Sequence, residues 1–300
     1  MDKLSKALCF AAAGTTTATG VTSQPTDVVG GAFTGLLAAG ICVLTGWAFL
    51  RILRPEKFFL RRVPGRSSQL NVLHVLALFL MYCFSVPLAQ RALASAWNIS
   101  VQSIRDLPMT VKVPGTIFGQ LVLIGGTLTV AAMSFRHGLG RGLGLRFRRI
   151  HWDAARAVIA YLAVVPLCYA ALYISNSLLP PSLKTAHPML TFLQSRRGSP
   201  LWVALVWISA VVLAPLAEEL FYRGLIQSML RRYGLKPWPA IAITSLVFAA
   251  SHAGQVQDML ALLILAVALG YNYERTGRLI APVLLHAIFN AVTIWTIVAS

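Results

Sequence analysis

Charged residues are scarce in this sequence, and acidic residues are the scarcest of them. Only 12% of the 300 residues are charged, 9 Asp and Glu stand against 26 Lys and Arg, and 57% are hydrophobic. The mean hydropathy is +0.71, whereas a typical soluble domain carries about 25% charged residues. The composition therefore excludes an ordinary soluble protein and indicates a polytopic membrane protein.

Cysteine is also rare. The four cysteines lie singly in apolar segments, without a C-x-x-C spacing: Cys9, Cys42, Cys83 and Cys168. Such isolated cysteines favour neither a disulfide framework nor a zinc site, and we interpret them as packed thiols.

The net charge of +17 raises the question of nucleic acid as a partner. The basic residues, however, fall in clusters between apolar spans, as the positive-inside rule expects of cytoplasmic loops. We therefore predict that the loops 51–69 and 136–152 are cytoplasmic, that the clusters contact anionic membrane lipid, and that nucleic acid is not a partner.

Eight apolar segments predict an all-α fold with eight transmembrane helices. The fifth is expected to run unbroken to Arg232, and both termini are expected on the outer side. The predicted spans are about 30–50, 70–94, 116–135, 154–179, 201–232, 238–252, 257–273 and 279–298.

Three regions follow from this pattern. Residues 1–29 are expected to form a disordered or interfacial tail. Residues 30–199 form a four-helix membrane region with basic cytoplasmic loops, and residues 200–300 form a second four-helix region. The glycine-rich stretch 137–144, HGLGRGLG, lacks the strand and helix that flank a phosphate loop, so we interpret it as a flexible connector.

The segment 213–232, LAPLAEELFYRGLIQSMLRR, places three charges inside a predicted membrane helix. A carboxylate at the bilayer centre costs at least ~2.5–3.5 kcal/mol, so such a residue normally faces a protein interior. Glu219 and Arg223 share a helix face and are predicted to pair. Glu218 points toward Tyr222 and is expected to be buried without a partner on its own segment, as suits a general base. The alternative is ordinary interfacial charge.

Two further pairs, each four residues apart, lie on later spans: Phe248 with His252, and His286 with Asn290. A single histidine in an apolar helix is more often a hydrogen-bonded packing residue than a site residue. The depth of the polar groups within the membrane favours a functional site. Counted from the cytoplasmic borders at ~1.5 Å per residue, the polar groups lie ~12–21 Å deep. These groups are Glu218, His252, His286 and Asn290.

Such a set supports hydrolysis by water. Glu218 and His252 can hold and deprotonate the water, while His286 and Asn290 can donate to the oxyanion of a peptide carbonyl. Alternatively, Glu218, His252 and His286 can bind one Zn²⁺ with an open position. The H-E-x-x-H signature of common zinc proteases is absent, and spacing does not decide between the two versions.

The motifs E-E-x-x-x-R, F-x-x-x-H and H-x-x-x-N, in this order on successive spans, resemble the CAAX protease and bacteriocin-processing family of intramembrane endopeptidases. This family includes the type II CAAX prenyl endopeptidases. The likeness covers residues 200–298, so residues 200–300 are expected to be the catalytic core.

The resemblance implies an eight-helix fold in a bacterial plasma membrane, with a cavity open to the cytosol and to lipid. It implies that Glu218 and His252 activate water and that His286 and Asn290 form the oxyanion site. The supporting residues would be Glu219, Arg223, Phe248 and Tyr222. The substrate would be a protein or peptide, with or without a lipid modification. The cofactor would be either none or one divalent cation such as zinc.

Two rival functions remain open. Chains of Glu and His in membranes also serve proton relays, so a proton-coupled transporter or channel is the second hypothesis. The two halves of the chain show no convincing similarity, whereas inverted repeats would favour a transporter. The third hypothesis is a non-catalytic membrane scaffold.

Overall fold

The computed structural model describes residues 25–54, 60, 67–184, 187–196 and 198–299. The expectation of an N-terminal tail falls mainly on residues 1–24, which lie outside the described residues, as does most of the basic loop 51–69. Within the described ranges the secondary structure is helical, with no strand. The prediction of an all-α fold is therefore confirmed.

Nine helices of eight or more residues organise the described part of the chain, and we number them in chain order. They are α1 Pro25–Leu53, α2 Val72–Ala96, α3 Met109–Ser134, α4 Ile150–Leu178, α5 Pro188–Ser195, α6 Pro200–Arg232, α7 Pro237–Ala250, α8 Met259–Thr276 and α9 Ile280–Ala299.

The membrane assignment rests on the length and polarity of these helices. Six helices are long and apolar enough to cross a membrane, and α7 and α9 contribute shorter apolar helices, Pro237–Ala250 and Ile280–Thr296. The short helix α5 lies between α4 and α6, in a segment predicted to be a loop or a surface helix. The protein is thus a polytopic membrane protein, and each of the eight predicted spans corresponds to one helix.

Helix ends differ from the predicted bounds where side chains compete for them. Helix α3 begins at Met109, directly after Pro108, instead of residue 116, and the Lys112 ammonium in its first turn donates to the Arg105 carbonyl at 2.7 Å. Helix α7 ends at Ala250 instead of residue 252. His252 therefore lies in the turn after the helix.

Helix α6 runs unbroken from Pro200 to Arg232 although it contains Pro215. A proline inside a helix has no N–H and crowds the carbonyl of the preceding turn. Two wider, π-helical segments absorb the irregularity, Ile208–Leu213 before the proline and Leu220–Gln227 after it. The prediction of one long helix is confirmed. π-Helical segments of this kind are frequent at functional sites.

The core surrounds α6. Every residue from 219 to 229 is buried, so this part of the helix is enclosed on all sides by neighbouring helices. Leu220 and Leu225 pack in one apolar cluster with Phe248 of α7 and Tyr273 of α8. A second cluster joins α4, α8 and α9 and holds this half of the molecule against the N-terminal half.

The glycine-rich stretch 137–144 packs against the turn between α8 and α9. Gly144 has φ +71°, and a Cβ there would lie 2.1 Å from the Gly277 carbonyl oxygen. The Leu279 N–H donates to the Leu143 carbonyl at 3.1 Å. The stretch is a connector, as interpreted, and its end at Gly144 is tightly packed against this turn.

An ion pair beside this contact joins α4 to the start of α9. The Arg278 Nε lies 2.9 and 2.8 Å from the two Asp153 carboxylate oxygens, and its Nη2 lies 2.7 Å from Oδ2. The Asp153 side chain is fully buried. This pair fixes the beginning of α9, the helix that carries two of the candidate site residues.

Candidate active site

The centre of the site is a buried chain of charged groups between α6 and α9. The Glu219 Oε1 accepts from the Arg223 Nη1 at 2.7 Å and lies 3.0 Å from the His286 Nδ1. Arg223 also donates to the Ala266 carbonyl of α8 at 3.1 Å and stacks over the Phe248 ring at 4.9 Å. Both side chains of the Glu219–Arg223 pair are fully buried. The predicted pairing is confirmed.

Glu219 orients the His286 ring. An ionised carboxylate only accepts hydrogen bonds, so the Nδ1 of His286 carries the hydrogen in this contact. The opposite nitrogen, Nε2, lies 3.9 Å from the Glu218 Oε2. His286 therefore stands between two glutamates, one bound tightly and one facing it across a gap that a substrate atom could enter.

Glu218 differs from its neighbour in its exposure. Its side chain is 26% exposed, whereas that of Glu219 is 0% exposed. The expectation that Glu218 is buried is therefore wrong. Its carboxylate faces His286 of α9, with 3.9 Å between the Glu218 Oε2 and the His286 Nε2. Tyr82 of α2 and Tyr222 both lie within electrostatic range of this carboxylate.

His252 reaches the site through Phe248. The two rings lie 4.8 Å apart between centroids, and the His286 ring lies 5.9 Å from the same phenyl ring in an edge contact. The His252 Nδ1 lies 2.9 Å from the Phe248 carbonyl oxygen, which can only accept. A neutral His252 consequently presents the lone pair of Nε2, the form that accepts a proton.

A hydroxyl pair explains both the end of α7 and the position of His252. The Tyr222 hydroxyl donates to the Ser251 Oγ at 2.8 Å. The Ser251 hydroxyl in turn donates to the Phe248 carbonyl at 2.7 Å. This carbonyl would otherwise accept from the backbone N–H of His252, which bonds instead to the Ala249 carbonyl. Sequence reasoning missed Ser251, and the available signal was a polar residue at the end of an apolar helix.

Asn290 contacts the irregular part of α6. Its Nδ2 donates to the Ala210 carbonyl at 2.7 Å. In this π-helical segment the Ala214 N–H bonds to the Ser209 carbonyl, so the next carbonyl, Ala210, would need a donor at position 215. Pro215 has no N–H. Asn290 supplies the missing donor, and since a carboxamide carries two N–H groups, one is left for another acceptor.

The ligand set proposed for zinc was tested against these positions. Among the described residues, no three His, Cys, Asp or Glu side chains lie close enough together to hold a metal ion. Glu218, His252 and His286 thus do not form a metal site in this arrangement, and no step is derived through a metal.

Comparison with known proteins now identifies the family. Residues 200–292 match the family model described as type II CAAX prenyl endopeptidase Rce1-like. An "Uncharacterized 24.3 kDa protein" of Escherichia coli is 34% identical over 152 residues, 47% of this chain and 68% of that protein. The "UPF0177 protein YaiF" of Lactococcus lactis is 33% identical over 84 residues, 28% of this chain and 37% of that protein. No solved structure matches.

The fold and the site define the class of this protein, which is a polytopic membrane protein with a buried polar site. The chain belongs to the Rce1-like family of type II CAAX prenyl endopeptidases, which confirms the resemblance drawn from the three motifs. Membership implies the activity of a membrane protease. All the candidate site residues between 218 and 290 fall within the matched region.

Proposed function

We propose that this protein is an intramembrane endopeptidase that hydrolyses a peptide bond near the membrane surface. Glu218 and His252 activate the water, and His286 and Asn290 stabilise the oxyanion. One observation carries the proposal. His286, oriented by the buried Glu219, faces the partly exposed Glu218 at 3.9 Å. In this arrangement the Glu219 carboxylate positions His286, and the Glu218 carboxylate is left to act on the water.

The first step is attack by water. A Glu218 oxygen and the Nε2 lone pair of His252 are both acceptors, so a water between them donates its two hydrogens and directs its oxygen at the substrate carbonyl. As the new C–O bond forms, the proton of the water passes to Glu218. The carbonyl π electrons move onto oxygen and create the oxyanion.

The second step is stabilisation and collapse of the tetrahedral intermediate. In this step His286 carries a hydrogen on each ring nitrogen, with Nδ1–H bound to Glu219 and Nε2–H donating to the oxyanion. The remaining N–H of Asn290 donates to the same oxygen. When the C–N bond breaks, the proton held by Glu218 passes to the leaving amine, so the carboxylate is restored.

The supporting residues hold these groups in place. Arg223 neutralises Glu219, and its guanidinium also packs on the Phe248 ring, which both histidine rings contact. Tyr222 secures the turn that carries His252 through Ser251. We propose a protein or peptide substrate, with or without a lipid modification, and residence in a bacterial plasma membrane, since both relatives are bacterial. The cytoplasmic opening implied by the resemblance stays a prediction.

Substitution of Glu218 tests the proposal most directly. In Glu218→Gln we expect a folded protein whose cleavage rate falls by about 10²–10⁴-fold, the usual contribution of a general base. The measurement is a comparison of new protein N-termini in membranes from cells that make either form, together with release of fluorophore from prenylated and unprenylated C-terminal peptides.

Asp106→Asn serves as the matched control, because Asp106 is exposed on a loop remote from the site. Equal cleavage by the parent, by Glu218→Gln and by His252→Ala would sink the proposal. Uptake of a solute into proteoliposomes, coupled to a proton gradient and lost in Glu218→Gln, would instead support the transporter hypothesis. Loss of cleavage after chelation would restore the zinc version.

A further inference from the structure

The π-helical segment Ile208–Leu213 of α6, which we call the bulge, lies between two neighbouring helices. Helix α3 packs along α6 from residue 208 to residue 227, and α9 packs on the bulge and on the turn after it. Beside the bulge, α3, α6 and α9 share one apolar cluster, to which each contributes a buried residue: Val113, Val206 and Ile294. The bulge is therefore held from two sides.

Asn290 acts on the bulge from the side of α9. Its Nδ2 donates to the Ala210 carbonyl at 2.7 Å. One of the two N–H groups of the carboxamide is used in this bond, and the other is the proposed donor to the oxyanion. The direction of that second N–H therefore depends on where the Ala210 carbonyl lies.

Gln120 acts on the bulge from the side of α3. The Ser209 hydroxyl donates to the Gln120 Oε1 at 3.1 Å, across 89 positions of the chain. Ser209 is 1% exposed and Gln120 is 7% exposed, so the bond is buried. A serine inside a helix often donates to a carbonyl of the preceding turn of its own helix. Here the hydroxyl bonds to another helix instead, and this bond joins the bulge to α3.

The two contacts fall on consecutive residues. The Ser209 hydroxyl bonds to α3 and the Ser209 carbonyl accepts from the Ala214 N–H, so this residue is fixed at both groups. The next carbonyl, Ala210, is the one that Asn290 contacts. Because π-helical turns are rare and close fewer favourable contacts within the helix, neighbouring side chains have to hold them. Gln120 thus fixes the residue directly before the carbonyl that orients Asn290.

We propose that Gln120 is a positioning residue of the site. By accepting from Ser209 it fixes the bulge, and the bulge fixes the direction of the Asn290 N–H that is left for the oxyanion. The inference rests on the proposed endopeptidase function, because it concerns the role of Asn290 in that reaction. It extends the site to α3, which lies outside the region 200–292 that matches the family model.

Two variants remove the contact from either side. Gln120→Met keeps the length of the side chain and removes the acceptor, whereas Ser209→Ala removes the donor and adds no volume, so it also serves if Gln120→Met does not fold. Cleavage of fluorogenic C-terminal peptides, prenylated and unprenylated, is measured. Each variant is expected to lower kcat about 10-fold at nearly unchanged KM, because a misdirected donor weakens binding of the transition state alone.

The matched control is Gln90→Met. Gln90 is also 7% exposed, but it lies on α2 and packs against Gly115, on the other side of α3. This variant is expected to keep the parent's kcat. Gln120→Met combined with Ser209→Ala should be no slower than either single variant, since both remove the same hydrogen bond.

A second cycle shows whether Gln120 acts through Asn290. In the Asn290→Ala background the donor is already gone, so Gln120→Met should change kcat less than about two-fold. An equal loss of kcat in both backgrounds would overturn the proposal. So would a raised KM at unchanged kcat, which would make Gln120 a substrate contact, or a kcat equal to the parent's in both Gln120→Met and Ser209→Ala.

Hydrogen exchange makes a further test independent of catalysis. In detergent the backbone amides of residues 205–215 should exchange faster in Gln120→Met and Ser209→Ala than in the parent, and at the parent's rate in Gln90→Met. If Glu218→Gln still cleaves while this exchange speeds up, the endopeptidase mechanism falls and the attachment of the bulge to Gln120 stands. If Glu218→Gln loses cleavage while Gln120→Met keeps the parent's kcat and exchange, the mechanism stands and the positioning role falls.

Discussion

The two halves of α6 use polar residues in opposite ways. In the closed half, residues 219–229, every residue is buried, and the polar side chains are engaged with neighbouring helices. In the open half, residues 207–218, most side chains are partly exposed, and Glu218 faces a histidine across a gap. Glu218 and Glu219 stand on either side of this border. Adjacent residues of the same type thus take different roles because their surroundings differ.

A ladder of polar contacts to α8 holds the closed half. The Gln227 Nε2 donates to the Gly270 carbonyl at 3.2 Å and to the Glu274 carboxylate at 3.1 Å. The Arg231 Nε lies 3.5 Å from the same carboxylate. Together with Glu219 and Arg223 these residues recur every four positions along α6. These contacts therefore hold α6 against α8 and stabilise the site without taking part in the proposed reaction.

The largest expected effect comes from breaking the closed half. Arg223→Leu leaves the buried Glu219 without its guanidinium partner, which should cost about 3–5 kcal/mol of stability. We expect little folded protein, measured as monodisperse recovery in detergent and as a lowered thermal midpoint. Arg275→Leu is the control, because Arg275 is exposed at the end of α8. If Arg223→Leu is as stable as the control, the ion pair does not hold this half together.

A smaller effect is expected at Asn290 in the open half. Asn290→Ala leaves the Ala210 carbonyl without a donor, at a cost of about 1–3 kcal/mol, and also removes a proposed oxyanion donor. Pro215→Ala restores an N–H near that carbonyl. In the Pro215→Ala background the stability cost of Asn290→Ala should shrink, while its effect on the cleavage rate should remain.

This double-mutant cycle compares Asn290→Ala, Pro215→Ala and the double variant. The thermal midpoint and the cleavage rate of each are measured. Asn176→Ala is the matched control, since Asn176 donates to a carbonyl of its own helix, Leu172. A rate that recovers together with stability would show that Asn290 only positions α6. That result would remove it from the oxyanion site.

The smallest effect is expected from His187, which precedes the short helix α5. Its neutral Nδ1 accepts from the Met189 N–H at 3.2 Å and so caps α5. Burial, and secondly the nearby His252, lower its pKa below the ordinary value. As the pH falls below about 6.5, the unfolded chain therefore takes up the proton first. The stabilisation is present above that pH and is lost as the pH falls through the folded-state pKa.

His187→Asn keeps a cap that does not titrate, so the thermal midpoint should fall less than that of the parent between about pH 7.5 and about pH 5.5. The exposed His151→Asn is the control. An unchanged pH dependence in His187→Asn would show that the cap does not respond to protonation.

Sequence patterns predicted the parts of this molecule that depend on local spacing. The apolar spans and the Glu219–Arg223 pair follow from residues near each other in the chain, and both are present. The end of α7 was missed, because Ser251 competes for a helix carbonyl only once Tyr222 has been brought beside it. The partner of Asn290 was missed because it depends on a bulge around Pro215.

Long-range pairing also lies beyond such patterns. Asp153 and Arg278 are 125 positions apart, and no periodicity in either helix indicates that they meet. The pairing of Glu219 with His286, 67 positions apart, is likewise not indicated by the spacing of residues within either helix.

The Asp153–Arg278 clamp has a consequence for any attempt to excise the protease from its chain. The region that matches the family ends at residue 292 and starts at residue 200, so it contains the arginine and lacks the aspartate. In that region alone, Arg278 would lack its carboxylate partner at the start of α9, the helix that carries His286 and Asn290. We therefore expect the matched region not to fold as an independent unit, and its transfer to another protein to require a matching acidic residue there.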